Sequence, residues 1–345
     1  MIPSAPQNDQ SAAVRAPGWQ HELRHAFSRP AELLAHLELD PEHPDLALSR
    51  RRSFALRVPR GFVARMRKGD PHDPLLRQIW PAADEDIETP GYVVDAVGDL
   101  ARVRGAGLIH KYHGRVLLVA TGACAVHCRY CFRRHFPYNE QLAARDHWAE
   151  ALAEIAVDTS VDEVILSGGD PLSLSDDKLG ELIDALDAIP HLRRLRVHTR
   201  QPIVLPERID ERLLAWLDRT RLQTVFVLHA NHPNELDDSV MTALEPLRRR
   251  GITLLNQAVL LRQINDDVET LVALSERLFG CGVLPYYLHL LDRVQGAAHF
   301  DLPEADAQAL MRVLSSRLPG YLVPRLVREI AGAPSKTWID WDTRG

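Results

Sequence analysis

The chain has 345 residues, 46% of them hydrophobic, and a formal net charge of −6. That length builds one large core, or one core with a small appendage, and a mildly acidic balance gives no electrostatic case for a nucleic-acid partner. No apolar run is long enough to span a membrane and the polar start, Met1 to Gln20, has no signal-peptide core, so the expected location is the cytoplasm.

Residues 1–20 are rich in Pro, Ala, Gln and Ser and read as disordered. From Trp19 to about Arg104 the pattern is helical and broken by prolines, with Pro30 at a first helical turn and Ser28 as its candidate cap. Residues 1–104 thus read as a tail and a helical extension. After Leu108 the texture changes. Strand-like runs at 115–121, 163–167, 195–199, 224–229, 253–260 and 285–290 alternate with amphipathic helices at 147–155, 178–189, 211–219, 239–250 and 268–278. Such a repeat means a parallel sheet covered by helices. Periodicity alone leaves a doubly wound open sheet and a barrel both possible. Nearly every strand, however, ends in a loop carrying polar, reactive residues, as in barrels whose active site lies at the strand C-termini. The expected fold is α/β: a partial (β/α)6 barrel over 105–315, open on one side, with a segment over 316–345 placed to close it.

The chemistry begins after the first of these strands, at Cys124-Ala-Val-His-Cys128-Arg-Tyr-Cys131-Phe. Of four cysteines in the chain, three fall within eight positions, so a disulfide framework is not in question and a reducing compartment is. A closed zinc site wants a fourth Cys or His. A cubane iron–sulfur cluster on three thiolates keeps one iron open for another ligand. Redox thiols and zinc knuckles use other spacings. Cys281, in Phe-Gly-Cys-Gly-Val, reads as a small buried hydrophobe.

The second strand runs into Ser167-Gly168-Gly169-Asp170-Pro171. Alone this is a turn; after a three-cysteine loop that resembles the one in radical S-adenosylmethionine enzymes, Gly168 to Asp170 are expected to bind the methionyl part of S-adenosylmethionine, with glycine backbone close to the ligand and the carboxylate on its ammonium group. Thr199-Arg200-Gln201-Pro202 follows the third strand and reads equally as a functional loop or a cap. His229 ends the fourth strand and Gln257 lies on the fifth; histidines at strand ends are usually structural, and cofactor contact is the second reading for both.

Only four of the 41 basic residues are lysines: Lys68, Lys111, Lys178 and Lys336. A chain that uses arginine for generic charge keeps lysine where a deprotonatable amine matters. Lys336, on the Pro- and Gly-bounded Gly332-Ala-Pro-Ser-Lys336-Thr, is the candidate to form an imine with pyridoxal phosphate. The basic and aromatic run His110-Lys111-Tyr112-His113-Gly114-Arg115 offers a phosphate site; without Lys336 it would be read as a surface loop.

In order and spacing, the cysteine loop with Arg133-Arg134, Ser-Gly-Gly-Asp-Pro-Leu, Thr-Arg-Gln-Pro-Ile-Val-Leu-Pro, Asn256-Gln257-Ala-Val-Leu-Leu and Pro285-Tyr-Tyr resemble the lysine 2,3-aminomutase family of radical S-adenosylmethionine enzymes, from about Trp19 to the C-terminus. The resemblance implies a [4Fe–4S] cluster on Cys124, Cys128 and Cys131, S-adenosylmethionine and pyridoxal phosphate as cofactors, and L-lysine as substrate. It implies that Lys111, Tyr112 and Arg115 hold the pyridoxal phosphate, that Arg133 meets the substrate α-carboxylate, and that Asp292 meets its ε-ammonium. Family members that ferment lysine carry a cysteine-rich C-terminal extension and a second acidic residue near position 330. Here the lysine loop is Glu329-x-x-Gly-x-Pro-Ser-Lys-Thr, similar to the bacterial branch that makes (R)-β-lysine for a ligase acting on elongation factor P. A flavodoxin- or ferredoxin-type electron donor is implied as well, and a homo-oligomeric state is left open. A glutamate 2,3-aminomutase and a non-enzymatic iron–sulfur redox sensor are the alternatives; the first has no use for Asp292, and the second needs neither the Gly-Gly-Asp loop nor Lys336.

Overall fold

The computed structural model describes residues 18–51, 54–104, 107–139 and 148–342. Its ten strands form one sheet in chain order: β1 (Val103–Arg104), β2 (Leu108–Tyr112), β3 (Arg115–Thr121), β4 (Glu163–Gly168), β5 (Arg194–Thr199), β6 (Gln223–Leu228), β7 (Thr253–Val259), β8 (Leu284–His289), β9 (Arg325–Arg328) and β10 (Thr337–Trp338). Strands β3 to β9 run parallel, and β1–β2, β2–β3 and β9–β10 are antiparallel. All six expected strands form, their ends shifted by one residue at most.

The seventh parallel strand, β9, lies in the segment read only as mixed; its four residues are too few for an alternation signal. The basic run at 110–115, expected to offer a phosphate site, forms the tip of a hairpin. Gly114 takes φ +74 in a two-residue turn, and Tyr112 pairs with Arg115. The helices between strands start where short polar side chains cap them: Ser175, Asp210, Asp237 and Asp267 accept from the backbones of Lys178, Leu213, Val240 and Thr270.

Period-2 alternation sorts the wall into two faces. On β5, Leu195 and Val197 are buried toward the helices, whereas Arg196 and His198 line the interior. On β7, Asn256 faces outward and ties itself to both backbone groups of Ala230 (2.9 and 3.0 Å), while Gln257 faces inward. Unlike a barrel filled by side-chain layers, this one is hollow, with a cavity of about 860 Å³.

The N-terminal extension consists of short helices and turns rather than a helical domain: Gly18–Arg24, Pro30–His36, Arg60–Val63 and Pro74–Arg77 are its α-helices. Arg29, not Ser28, occupies the cap position before Pro30, without a side-chain bond. Trp19 and residues 18–20 belong to the first helix, so the disordered reading fails there; its remainder, like His147, lies outside the described residues. The extension has its own core, built on Trp19, Phe27, Leu33, Phe62, Leu75 and Trp80, and this core includes Ala125 and Val126 of the cysteine loop. At the other edge, β9 and β10 lengthen the wall. The gap between the two sheet edges is crossed by side chains: Lys111 and Tyr112 of β2 both reach Glu329, at the end of β9. No helix among the described residues is long and apolar enough to cross a membrane.

Candidate active site

One cavity gathers almost every residue singled out from the sequence. Cys124, Cys128, Cys131, Gly168, Gly169, Asp170, His229, Gln257, Arg133, Asp292, Lys111, Tyr112, Arg115 and Lys336 all line it. Its volume lies at the upper end of ligand cavities, roughly 300–1,000 Å³, which suits more than one small molecule at a time.

The cysteine loop leaves β3 and is clamped from outside. Arg129 donates to both oxygens of buried Glu85 (2.6 and 2.5 Å), Arg134 also binds Glu85, and the Arg129 backbone donates to Gln78 (2.9 Å). His127 is stacked on Phe54 and bonded to Ala55 (2.7 Å). Burial pushes the Cys124 thiol well up and the Cys131 thiol to about 11, so a metal must displace the proton for either to act as thiolate. Among the described residues no three His, Cys, Asp or Glu side chains crowd one point tightly enough for a single ion. Three free thiols on one loop suit a cubane, in which each thiolate takes a different iron. Cys281 is buried in the outer core, away from the cavity.

The glycine loop differs from expectation in how it works. A Cβ on Gly168 would sit 2.6 Å from the Thr121 carbonyl, and one on Gly169 2.5 Å from that of Ala123. Both glycines therefore serve close approach to the start of the cysteine loop, and their backbones line the cavity beside it. Asp170 was expected to receive an ammonium group. Instead one oxygen accepts from Leu172 N and Thr199 Oγ1 (3.1 and 2.7 Å), the other from Arg200 N and Gln201 N (2.8 and 3.0 Å). A carboxylate so committed braces the ends of β4 and β5 and has little left for a ligand.

The other end of the site is ionic. Lys336, just before β10, donates to Glu329 (2.7 Å). Burial alone would lift the Glu329 carboxyl, but Lys336, Tyr112 and Lys111 outweigh it and hold it at about 2. Lys111 also pairs with Asp99 (2.6 Å), whose other oxygen takes Arg133 Nε (2.7 Å); Arg133 Nη1 donates to Ser167 (2.9 Å). The Arg115 guanidinium lies 4.8 Å from the Tyr112 ring centre. Asp292, after β8, is the exception: the residue is half-buried, its Oδ1 is out of solvent and has no partner, and desolvation pushes its carboxyl up to about 7.

Sequence reasoning missed Asp99, Glu329's central place, and two more cavity histidines, His198 and His289, each with an unpartnered Nε2. The histidines were within reach, because both stand near the C-terminal ends of strands, as His229 does. Burial drives all three downward, His229 to about 4, so they are neutral rings. Asp99 gave no signal: it sits in an irregular segment 34 residues before its partner Arg133.

A hollow parallel barrel with three thiols at the C-terminal end of its wall defines a radical S-adenosylmethionine enzyme, and residues 118–274 match the Radical SAM superfamily. Among curated proteins, the chain is 50% identical over 327 residues to the L-lysine 2,3-aminomutase of Escherichia coli (strain K12), covering 94% of this chain and 95% of that protein. It is 46% identical over 319 residues to the L-lysine 2,3-aminomutase of Haemophilus influenzae, covering 92% and 94%, and 31% identical over 323 residues to that of Clostridium subterminale, covering 92% and 77%. The chain belongs to the lysine 2,3-aminomutase family of radical S-adenosylmethionine enzymes. It is therefore an isomerase of the aminomutase class, with a [4Fe–4S] cluster and S-adenosylmethionine as cofactors, and the non-enzymatic sensor is set aside.

Proposed function

We propose that this aminomutase moves the amino group of L-lysine from carbon 2 to carbon 3, in the cytoplasm, with pyridoxal phosphate as a further cofactor. The observation that carries the choice of lysine is Asp292, a half-buried side chain whose Oδ1 is out of solvent and unpartnered in the cavity that holds Lys336 and Arg133. An ammonium group in such a place needs a carboxylate, and the carboxylate needs a cation. The side chain of glutamate would bring a second carboxylate there instead of a cation.

When bound, the cluster and S-adenosylmethionine supply a hydrogen-abstracting radical, and pyridoxal phosphate supplies a carbonyl that carries the migrating nitrogen. The residues around them bind and orient. Cys124, Cys128 and Cys131 hold the cluster, and the backbones of Gly168 and Gly169, with His229 and Gln257, face S-adenosylmethionine. Asp170 acts through the loops it braces. Lys336 Nζ is the nucleophile toward pyridoxal phosphate, and Glu329 beside it takes up positive charge. Lys111, Tyr112 and Arg115 supply donors for a phosphate. Arg133, fixed by Asp99 and Ser167, turns its remaining Nη2 donors to the lysine carboxylate. With Asp292 and Glu329 toward the far ammonium, both ends of the substrate are pinned and one carbon faces the radical, an orientation effect capable of large rate factors.

The Pro-Ser-Lys-Thr loop supports the finer reading that the product is (R)-β-lysine for a separate ligase acting on elongation factor P, with a flavodoxin- or ferredoxin-type protein as electron donor. The test incubates reduced enzyme, S-adenosylmethionine and pyridoxal phosphate with lysine or with glutamate and resolves the amino acids formed. β-Lysine from lysine alone is expected. β-Glutamate without β-lysine overturns the substrate and leaves the reaction class standing.

A further inference from the structure

The Thr-Arg-Gln-Pro loop after β5 carries a residue that the substrate reading does not use. Arg200 is buried, at 6% exposure, and its fork is divided between two tasks. Nη2 is anchored, donating to Gln78 Oε1 (2.6 Å) and Glu235 Oε2 (2.8 Å); Nη1 donates to Cys128 Sγ (2.7 Å). Glu235 does not depend on this arginine for its partners: its Oε1 accepts from Gln78 Nε2 (3.0 Å) and from the backbones of Asn231 (2.8 Å) and His232 (3.1 Å). The anchored side of the guanidinium therefore fixes where the other side points, which is at a thiol of the cluster loop.

We propose that Arg200 is a positioning and tuning residue for the iron–sulfur centre: its Nη1 donates to the Cys128 sulfur and raises the reduction potential of the cluster. The inference rests on the assignment of Cys128 as a cluster ligand. Taking up an electron adds negative charge to the cluster and its sulfurs. A cation and a hydrogen-bond donor on one of those sulfurs stabilise the reduced state more than the oxidised one. In a site screened from water the effect is stronger than it would be at a surface. A merely structural arginine would satisfy Glu235 and stop there.

Removing Arg200 alone would leave Glu235 hydrogen-bonded but without its counter-cation, so the informative variant is the double Arg200→Gln/Glu235→Gln, which deletes the charge pair together. Iron and sulfide content is measured first, then a potentiometric titration followed by electron paramagnetic resonance, without S-adenosylmethionine. The double variant is expected to keep its cluster but to be reduced at a lower potential. The expected shift is at least tenfold in the reduction equilibrium, about 59 mV for one electron. Glu235→Gln alone leaves the guanidinium less neutralised, and its potential should move the opposite way. A structural role gives no such pair of opposed shifts. Equal potentials in the parent and the double variant, both with full clusters, overturn the inference, and weaker S-adenosylmethionine binding at unchanged potential reassigns Arg200 to that cofactor. A parent protein that holds no cluster under any reconstitution condition instead sinks the cluster reading beneath it.

Discussion

The barrel wall and the N-terminal extension reach the same cavity by opposite means. The wall is repetitive: apolar residues on one face pack against helices, and whatever stands on the other face points inward. It places His198, Gln257 and the loops after each strand without needing any single contact. The extension has hardly any regular structure to position a side chain. It instead sends in three buried polar groups, each of which locks cations around the cysteine loop: Glu85 holds Arg129 and Arg134, Gln78 holds Arg200, and Asp99 holds Arg133 and Lys111. Geometry set by a repeat survives the loss of one residue. Geometry set by one buried ion pair does not.

The largest effects belong to the barrel's loops. Cys124→Ala, Cys128→Ala or Cys131→Ala should each abolish cleavage of S-adenosylmethionine, while Cys281→Ala, in the outer core, leaves it intact. Full cluster occupancy and cleavage in the Cys128 variant would remove the centre around which both regions are organised. Next is Lys336→Arg, which keeps a cation near Glu329 and loses an amine able to form an imine. Borohydride should trap a pyridoxyl group on Lys336 in the parent and none in the variant. A label on Lys111 would exchange the roles of the two lysines.

Those two sites were singled out from the chain alone because their signals are local: three cysteines in eight residues, and a lysine on a Pro-bounded loop in a chain poor in lysine. The wall was legible for a similar reason, since alternation of strand and helix is written in short windows. The extension was not. Asp99 finds Arg133 34 residues later, and Gln78 finds Arg200 across 122, distances over which no periodicity operates. The same blindness produced the one misreading of a role. Asp170 looked like a ligand-facing carboxylate in its own pentapeptide, but its partners Thr199, Arg200 and Gln201 come from the next strand.

A third substitution tests the contrast directly. Glu85→Gln leaves Arg129 and Arg134 buried beside a neutral amide, and removing one partner of such a pair costs about 3–5 kcal/mol. Urea unfolding should show a loss of that order, accompanied by poorer cluster occupancy because the cysteine loop loses its clamp. Arg250→Ala, which breaks the ion pair with Asp218 on the outside of the wall, should change neither measurement. If the two variants behave alike, the extension is not held by single contacts in the way described.

The smallest effect compares two carboxyl groups on the cavity, one from each region. Asp99 has two cationic partners; burial would raise its carboxyl, but Arg133 and Lys111 prevail and keep it below the ordinary range. Asp292 has no partner on Oδ1, and burial lifts it to about 7. The consequences have opposite signs. The folded protein binds the Asp292 proton more tightly than the unfolded chain does, so this group lowers stability as pH rises from the carboxyl range, about 4, toward 7. Asp99 contributes stability above that range and loses it as pH falls through its lowered value. Only ionised Asp292 pairs with an ammonium group, so kcat/KM for lysine should climb about tenfold per pH unit below the midpoint near 7 and level off above it. Asp99, already ionised throughout, adds no step there. Asp292→Asn should lower the plateau and remove this rise. A parent profile flat through pH 7 would mean that the barrel's carboxylate is neutralised as fully as that of the extension, by a partner other than substrate.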